Sequence, residues 1–150
     1  MTPPPRRKVT IRDLRAEDYD ELARLWDAAE LPFHPEGRDS RENVERELGS
    51  GQADFFVMEV GGKMVGAALC TNDGRKGWIN RLAVDPKHRR TGIASMLVKE
   101  AERRFDARGL GISACLVHND NPSSVALFED LGYTLDGRVL YYSKRKSDRV

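Results

Sequence analysis

The 150-residue chain has almost no net charge, only two cysteines and no long apolar run. Its 25 basic and 24 acidic residues leave a formal charge of +1, which gives no overall bias towards nucleic acid or a membrane surface. No apolar stretch approaches the length needed to span a bilayer. The cysteines, Cys70 and Cys115, are too few for a disulfide framework or a zinc cluster. We therefore expect buried thiols, no metal site and a cytoplasmic protein.

Two common nucleotide-binding motifs are also missing. The chain has no Gly-x-Gly-x-x-Gly run of the kind that binds dinucleotides. It also has no glycine loop that ends in Gly-Lys-Ser or Gly-Lys-Thr. The sequence therefore supports neither a dinucleotide site nor a nucleoside triphosphate site.

The length suits one domain with its own hydrophobic core. We expect a disordered extension over residues 1–7, a single domain over 8–146 and a tail over 147–150. The first eight residues are rich in proline and basic residues, and no apolar segment follows them. For that reason we do not expect a secretory signal.

Apolar periodicity divides the domain into strands and helices. Strands are predicted over 9–14, 55–60, 64–70, 78–84, 112–117, 133–135 and 139–142. Helices are predicted from about Glu17 to Ala29, from a cap at Asp39 or Ser40 to Leu48, from Gly92 to a cap at Gly109, and from Asn121 to about Leu131. This order predicts an α/β fold, with a mixed, mostly antiparallel sheet of about six to seven strands and helices on both faces.

The run Arg89-Arg90-Thr91-Gly92-Ile93-Ala94 is the most informative stretch of the sequence. It joins a predicted strand to the start of a predicted amphipathic helix. Free N–H groups and the helix dipole favour an anion there, and Gly92 lets a diphosphate approach the main chain closely. Lys87 and His88 extend the positive charge. The segment predicts a site for a phosphorylated ligand, with a solvated basic turn as the alternative.

Two motifs resemble the GNAT superfamily of acyl-CoA-dependent N-acetyltransferases. Arg89, Gly92 and Ala94 match its phosphate loop, in which Arg or Gln is followed by two residues, Gly, one residue, and Gly or Ala. Downstream, "NPSSVALFEDLGY" is similar to a second segment of the superfamily, with matches at Asn121, Ser124, Phe128, Leu131, Gly132 and Tyr133. The order of elements agrees over nearly the whole chain. The resemblance implies the GNAT fold, and direct acetyl transfer from acetyl-CoA to a primary amine of a small molecule or peptide in a ternary complex.

The resemblance also implies where acetyl-CoA binds. The fourth and fifth strands are expected to splay apart, with the pantetheine arm between them and a backbone N–H near Leu82 or Ala83 polarising the thioester carbonyl. The expected cofactor-binding residues are Leu82, Ala83, Val84, Arg89, Arg90, Thr91, Gly92, Ile93, Ala94, Ser95, Asn121, Ser124 and Phe128. No metal is implied.

A general base is needed, because an alkyl ammonium with a pKa near 10.4 is charged at neutral pH and cannot attack. The candidate bases are Glu30, His34, Glu36, Glu59 and His118. His118 ends the fifth predicted strand, beside the implied cofactor channel. Together with the Leu82 amide, we expect His118 and Glu59 to be the catalytic residues.

Two positions depart from the superfamily pattern. Phe128 stands where many members carry the Tyr that protonates the departing thiolate, and phenylalanine cannot donate a proton. Either the thiolate leaves unaided, with water, Tyr133 or Ser124 supplying the proton later, or the chain is a weakly catalytic or non-catalytic acyl-CoA-binding module. Leu116 and His118 stand where members that acetylate ribosomal proteins and N-termini often have Glu and Arg, which disfavours a peptide N-terminus as acceptor.

The partners follow from the same residues. A nucleic-acid-binding role for Lys87 to Arg90 is disfavoured, because the net charge is near zero and no aromatic side chain interleaves with the basic run. We expect acetyl-CoA and an amine acceptor as partners, and neither nucleic acid nor a membrane. Leu140 to Tyr142 would suit an edge strand that pairs with a second subunit, which leaves a homodimer open as an alternative to a monomer.

Overall fold

The computed structural model describes residues 8–148, in which five strands and four helices form. The strands are β1 (Val9–Asp13), β2 (Ala53–Val60), β3 (Lys63–Asn72), β4 (Gly77–Val84) and β5 (Ser113–Cys115). The helices are α1 (Tyr19–Ala28), α2 (Arg41–Leu48), α3 (Ile93–Ala107) and α4 (Pro122–Asp130), with short 3-10 turns at Ala16–Asp18 and Pro86–His88. The predicted extension over 1–7 and the last two residues of the predicted tail lie outside the described residues.

The strands form one mixed sheet in the order β1-β2-β3-β4-β5. β1 to β4 pair antiparallel, and β5 pairs with β4 in parallel. Alternate residues of β2 face opposite ways: Phe55 and Val57 pack with α1 and α2, whereas Phe56 and Met58 pack with α3 and α4. The predicted mixed, mostly antiparallel sheet with helices on both faces is confirmed. The strand count among the described residues is five instead of six to seven.

The difference in strand count comes from the C-terminal end. The predicted strands over 133–135 and 139–142 do not form in the described residues. From 134 to 148 the chain is irregular and exposed, and its backbone makes a turn bond from the Val139 N–H to the Asp136 carbonyl at 3.4 Å instead of ladder bonds. Strand-forming residues hold a strand only when a neighbouring strand satisfies their N–H and C=O groups. The prediction was wrong because it considered residue preference without a pairing partner.

The predicted helix ends are confirmed. The Ser40 hydroxyl accepts from the Asn43 N–H at 3.2 Å at the start of α2, and the Asn121 side chain accepts from the Ser124 N–H at 3.2 Å at the start of α4. Gly109 follows α3 with a φ of 77°, a conformation that favours glycine. None of the described helices is long and apolar enough to cross a membrane.

Both cysteines carry free thiols. Cys70 is buried on β3, and burial raises the pKa of its thiol to about 12. Cys115 is half-buried at the end of β5, and burial raises the pKa of its thiol to about 11. Both thiols are therefore protonated at neutral pH and poor nucleophiles.

Candidate active site

The last two strands of the sheet separate. β4 and β5 pair over only three residues, and the last pair is Ile79 with Cys115. β4 continues for five more residues, from Asn80 to Val84, which have no partner on the β5 side in the described part of the chain. Residues 81–84 remain paired with β3. This splayed opening leaves one edge of the β4 backbone free at the centre of the molecule.

A bulge decides which amides face this opening. The register with β3 passes from Cys70–Ile79 to Leu69–Arg81, so Asn80 is an extra residue on β4. Before the bulge, the Gly77 N–H donates to the Ile112 carbonyl, on the β5 side, at 2.8 Å.

Beyond the bulge, the alternation of N–H directions along β4 is shifted by one residue, so that odd-numbered residues donate towards β3 instead of towards β5. The Asp85 N–H donates to the Val65 carbonyl of β3 at 2.8 Å. Because donors alternate along an antiparallel strand, the Ala83 amide also faces β3, and the amides of Leu82 and Val84 face the opening. The predicted catalytic N–H of Leu82 therefore lies on the free edge of β4.

The loop before α3 presents a second set of free amides. Arg90 and Gly92 have left-handed φ angles of 64° and 83°, and Gly92 caps the helix without a side-chain bond. The Thr91 hydroxyl donates to the His88 carbonyl and fixes the turn. The amides from Arg90 to Ser95 make no hydrogen bond to other described residues. A Cβ on Gly92 would have no atom within 4 Å, so the space above it is open.

Phe128 lies on the α3 side of the sheet. Its ring is buried and packs edge-to-face on Tyr133, with ring centroids 5.1 Å apart. The Tyr133 hydroxyl lies 2.6 Å from Ser113 Oγ and donates to Glu102 Oε2 at 3.0 Å. Burial is the main reason why the pKa of Tyr133 is well above its usual value. A hydroxyl held in this way is a poor source of a proton for a thiolate.

A cleft opens on the other face of the sheet, beside the separated strands. Its volume is about 570 Å³. Its lining residues come from the loop before α2, from α2, from β2 to β4, from the segment after β5 and from the C-terminal end: Arg38, Asp39, Glu47, Phe55, Leu69, Asn80, Arg81, Leu116, Val117, His118, Tyr141 and Arg145. A pocket of this size, with a few charged groups on an apolar wall, suits a small organic ligand.

A buried ion pair ties the wall of this cleft to β4. Arg81 Nη2 lies 2.7 Å from Asp39 Oδ2; Asp39 is buried, and the Arg81 side chain is 12% exposed. The same guanidinium donates to the Pro32 carbonyl at 2.6 Å and lies over the Trp26 ring, 5.2 Å from its centroid. Asp39 also accepts from the His34 N–H at 2.6 Å. Burial lowers the pKa of Arg81, and the charge of Asp39 opposes that shift.

Of the five predicted bases, the structure brings only His118 to the cleft. Glu59 lies on β2, which β3 separates from β4, and its Oε1 accepts from Arg12 Nε at 2.8 Å. Glu30, His34 and Glu36 follow α1 and are not among the lining residues.

Glu47 lines the cleft and was missed by the sequence analysis. Its carboxylate makes no hydrogen bond or ion pair to another described residue, and burial raises its pKa above the usual value. A clue was available in the sequence, because Glu47 lies three residues after Val44, on the side of α2 that carries its buried residue. An acidic residue at a helix position that faces the interior indicates either an oppositely charged partner in the protein or a bound ligand.

The fold and the sequence both match known acetyltransferases. The chain is 33% identical over 139 residues to acetyltransferase SG1711 of Sodalis glossinidius (strain morsitans), covering 91% of this chain and 95% of that one. Its fold matches the aminoglycoside N-acetyltransferase AAC(6')-Iy in complex with CoA, with a TM-score of 0.80, 21% identity, and coverage of 96% and 99%. It also matches the PaiA N-acetyltransferase of Thermoplasma acidophilum in complex with coenzyme A, with a TM-score of 0.75, 19% identity, and coverage of 87% and 94%.

The model of the acetyltransferase (GNAT) family matches residues 14–133, a range that starts just after β1 and ends at Tyr133. It contains both the loop before α3 and the splayed strands, where main-chain amides lack partners among the described residues. The chain therefore belongs to the GNAT family of acetyltransferases.

Proposed function

We propose that this acetyltransferase transfers the acetyl group of acetyl-CoA to a primary amine bound in the cleft, by direct attack within a ternary complex. The observation that carries the proposal is the free edge of β4, which separates the loop before α3 from the cleft. One ligand lying along that edge would reach from the amides at Gly92 to the mouth of the cleft. Acetyl-CoA supplies the acetyl group as a thioester that an amine can attack.

The cofactor side is proposed to work mainly through the main chain. The free amides from Arg90 to Ser95, at the N-terminus of α3, suit a diphosphate. Arg89 and Arg90 add positive charge beside them. The remaining proposed contacts are the edge residues Leu82 and Val84 and, at α4, Asn121, Ser124 and Phe128. The predicted main-chain contact at Ala83 is not proposed again, because its amide faces β3. The Leu82 amide would stabilise the negative charge that develops on the carbonyl oxygen.

The amine must lose its proton before or during attack, and we propose that Glu47 accepts it. Glu47 is a part-buried carboxylate in the cleft with no partner among residues 8–148, and its raised pKa brings its basicity closer to that needed at neutral pH. His118 is the second titratable group that we propose for the reaction, at the end of the cleft nearest β5. We propose no role for Glu59, because Arg12 already holds its carboxylate.

The test follows thiol release from acetyl-CoA over a panel of small primary amines, amino sugars and peptide N-termini. We expect Glu47→Gln to lower kcat by roughly 10²–10³-fold without changing acetyl-CoA affinity. Glu45→Gln is the matched control, because Glu45 is exposed on the same helix. Absence of thiol release above hydrolysis over the whole panel would contradict the function. An unchanged rate in Glu47→Gln with loss in His118→Ala would assign the base to His118.

The pH dependence provides a second readout for Glu47. Activity should fall as the pH drops through the raised pKa, above the value of about 4.3 of an ordinary glutamate. A carboxyl group whose folded pKa is raised stabilises the fold at low pH and costs stability as the pH rises through that pKa. Glu47→Gln should therefore remove the acid limb of the rate profile without lowering the stability at neutral pH.

A second candidate function rests on Phe128. A phenylalanine at this position supplies no proton, which would suit a weakly catalytic or non-catalytic acyl-CoA-binding module. Phe128→Tyr distinguishes the two candidates. A large gain in turnover would support an attenuated enzyme, whereas robust activity in the parent chain without a gain would remove this candidate.

We also propose a cytoplasmic location and a homodimer. The two free thiols suit a reducing compartment, which is also where acetyl-CoA would be met. The homodimer is supported by the exposed residues Leu140, Tyr141 and Tyr142.

A further inference from the structure

The lining of the cleft carries more positive than negative charge. It includes three arginines, Arg38, Arg81 and Arg145, and two carboxylates, Asp39 and Glu47. Arg81 and Asp39 neutralise each other through their ion pair at 2.7 Å. The lining then still holds two guanidinium groups against one carboxylate. This balance disfavours a ligand that carries several ammonium groups and no negative group, because the positive lining repels it.

Arg38 has a guanidinium group that the protein does not fully engage. Its Nε lies 3.8 Å from Asp39 Oδ2, and its side chain is 49% exposed. The two oxygens of Asp39 already accept hydrogen bonds from Arg81 and from the His34 N–H, at 2.6 to 3.2 Å. Arg38 itself donates no hydrogen bond to another residue within 8–148. Its planar set of N–H groups is therefore available to a ligand in the cleft.

The loop that carries Arg38 is fixed to the start of α2. Asn43 Nδ2 donates to the Gly37 carbonyl at 2.6 Å, and the Ser40 N–H donates to the same carbonyl at 3.1 Å. The Asp39 N–H donates to the His34 carbonyl at 3.1 Å and closes the loop. Because this backbone is already ordered, a ligand that contacts Arg38 does not have to order the loop first.

Glu47 and Arg38 line the same cleft without pairing. They form no ion pair with each other in the described part of the chain. Glu47 lies seven residues after the Ser40 cap of α2, a distance on the order of 10 Å along the helix axis. Burial is the main reason why the pKa of Glu47 is raised, while the charges of Arg46 and Asp39 act in opposite directions. Two opposite charges held apart in one cleft suit a ligand with one charge of each sign.

We propose that the amine acceptor also carries a carboxylate, which Arg38 binds through its guanidinium group. The inference rests on the proposed function, in which the same molecule presents its amine to Glu47. Guanidinium and carboxylate pair through two parallel N–H···O bonds, which orient the ligand as well as hold it. A carboxylate matches the single charge of Arg38, whereas a phosphate would bring a charge of about −1.5 to −2 into a cleft that contains Glu47. Arg38 is thus a specificity-determining residue.

Matched acceptors test this preference. Glycine, β-alanine, 4-aminobutanoate and 6-aminohexanoate are each compared with the corresponding primary amide, at equal concentrations of the unprotonated amine. We expect kcat/KM for the best amino acid to exceed that of its amide by roughly 10–100-fold, because the amide cannot form the charged pair. Arg38→Met should remove the preference by raising KM for the amino acid, with kcat and acetyl-CoA affinity unchanged. Arg38→Lys, which keeps the charge but not the planar geometry, should fall between the two.

Arg46→Met is the control for long-range charge. Arg46 is exposed on α2 and its charge acts on Glu47, but it does not line the cleft. Its removal should change the rates with amino acids and amides by the same factor. A titration with propanoate, followed by the NMR shifts of the amides over 34–48, gives a readout without turnover. We expect saturable shifts in the parent and in Arg46→Met, and their loss in Arg38→Met.

The outcomes separate this inference from the proposed function. Equal kcat/KM for amino acids and amides in the parent, or a preference that survives Arg38→Met, would overturn the inference and leave acetyl transfer in place. Faster transfer to O-phosphoethanolamine than to the amino acids would also overturn it. Thiol release with none of the amines would contradict both. Arg38→Met should keep the thermal unfolding midpoint of the parent, because its contact with Asp39 is long and partly exposed.

Discussion

The loop before α3 and the acceptor cleft are built from different parts of the chain. The loop offers main-chain amides from Arg90 to Ser95, and its geometry depends on two left-handed φ angles. The cleft depends on charged side chains, with Arg81 and Asp39 holding its wall and Glu47 unpaired inside it.

This difference determines how each region responds to mutation. A site made of main-chain amides tolerates most side-chain changes and fails where a change alters the backbone angles. A site made of paired charges fails when one member is removed, because the other stays buried without a partner. The main-chain site for the cofactor can therefore stay the same in a related sequence whose cleft is lined by other side chains and binds another acceptor.

Arg81→Met should have the largest effect on stability. It leaves the buried Asp39 carboxylate with the His34 N–H as its hydrogen-bond donor and the exposed Arg38 Nε, 3.8 Å away, as its remaining positive charge. Loss of the closer ion pair is expected to cost about 3–5 kcal/mol of unfolding free energy. Arg41→Met is the control, because the Arg41–Asp20 pair is exposed and is worth at most about 1 kcal/mol. Urea denaturation measures both. Equal losses in the two variants would mean that the buried pair has no special importance for the wall of the cleft.

Gly92→Ala tests the other region. A side chain at a φ of 83° is strained, so the loop would turn its amides away from the ligand. We expect a stability loss of about 1 kcal/mol and a 10–100-fold weaker affinity for acetyl-CoA, roughly two phosphate-amide contacts.

Gly74→Ala is its matched control, with the same φ of 83° and equally open space around it, but in the turn between β3 and β4. It should lose similar stability and keep its affinity in isothermal titration. If both variants bound acetyl-CoA as tightly as the parent, the proposal that main-chain amides at Gly92 bind acetyl-CoA would be disproved.

The same division explains what could be predicted from the sequence. Ser40, Gly92 and Asn121 were found because a helix start is decided by residues a few positions apart. The GNAT motifs are equally local. The Arg81–Asp39 pair joins residues 42 positions apart in the chain, and no local pattern predicts it.

Strand pairing is the other non-local feature. The apolar residues over 139–142 predict a strand, but whether one forms depends on a neighbour that the sequence does not reveal. The bulge at Asn80, which turns the Leu82 amide to the opening, is likewise a property of two strands together. Glu47 differs from these features, because its spacing from Val44 can be read from the sequence. The cleft that Glu47 lines cannot be read from the sequence.

Gly77→Ala tests whether the packing between β4 and α3 affects stability without affecting acetyl-CoA binding. A Cβ on Gly77 would lie 2.3 Å from Cγ of the Phe105 ring, so α3 or β4 must shift. Overpacking of this kind costs about 1–3 kcal/mol, measured by thermal unfolding. Acetyl-CoA affinity should hold, because the loop at the far end of α3 is untouched. Gly111→Ala, with no atom near its Cβ, should be neutral. A larger loss of affinity than of stability would show that binding depends on this packing.

Tyr133→Phe should have the smallest effect and decides whether this hydroxyl takes part in the chemistry. It removes the contacts to Ser113 and Glu102, at a cost of about 1 kcal/mol in unfolding free energy. We expect kcat to stay within about twofold, because the hydroxyl is committed to these partners and its pKa is raised far from the range of a useful acid. Ser124→Ala, measured in parallel, tests the other hydroxyl near Phe128. A tenfold or larger fall in kcat in one variant alone would identify that hydroxyl as the proton donor to the leaving thiolate, and the cofactor side would then work through a side chain as the cleft does.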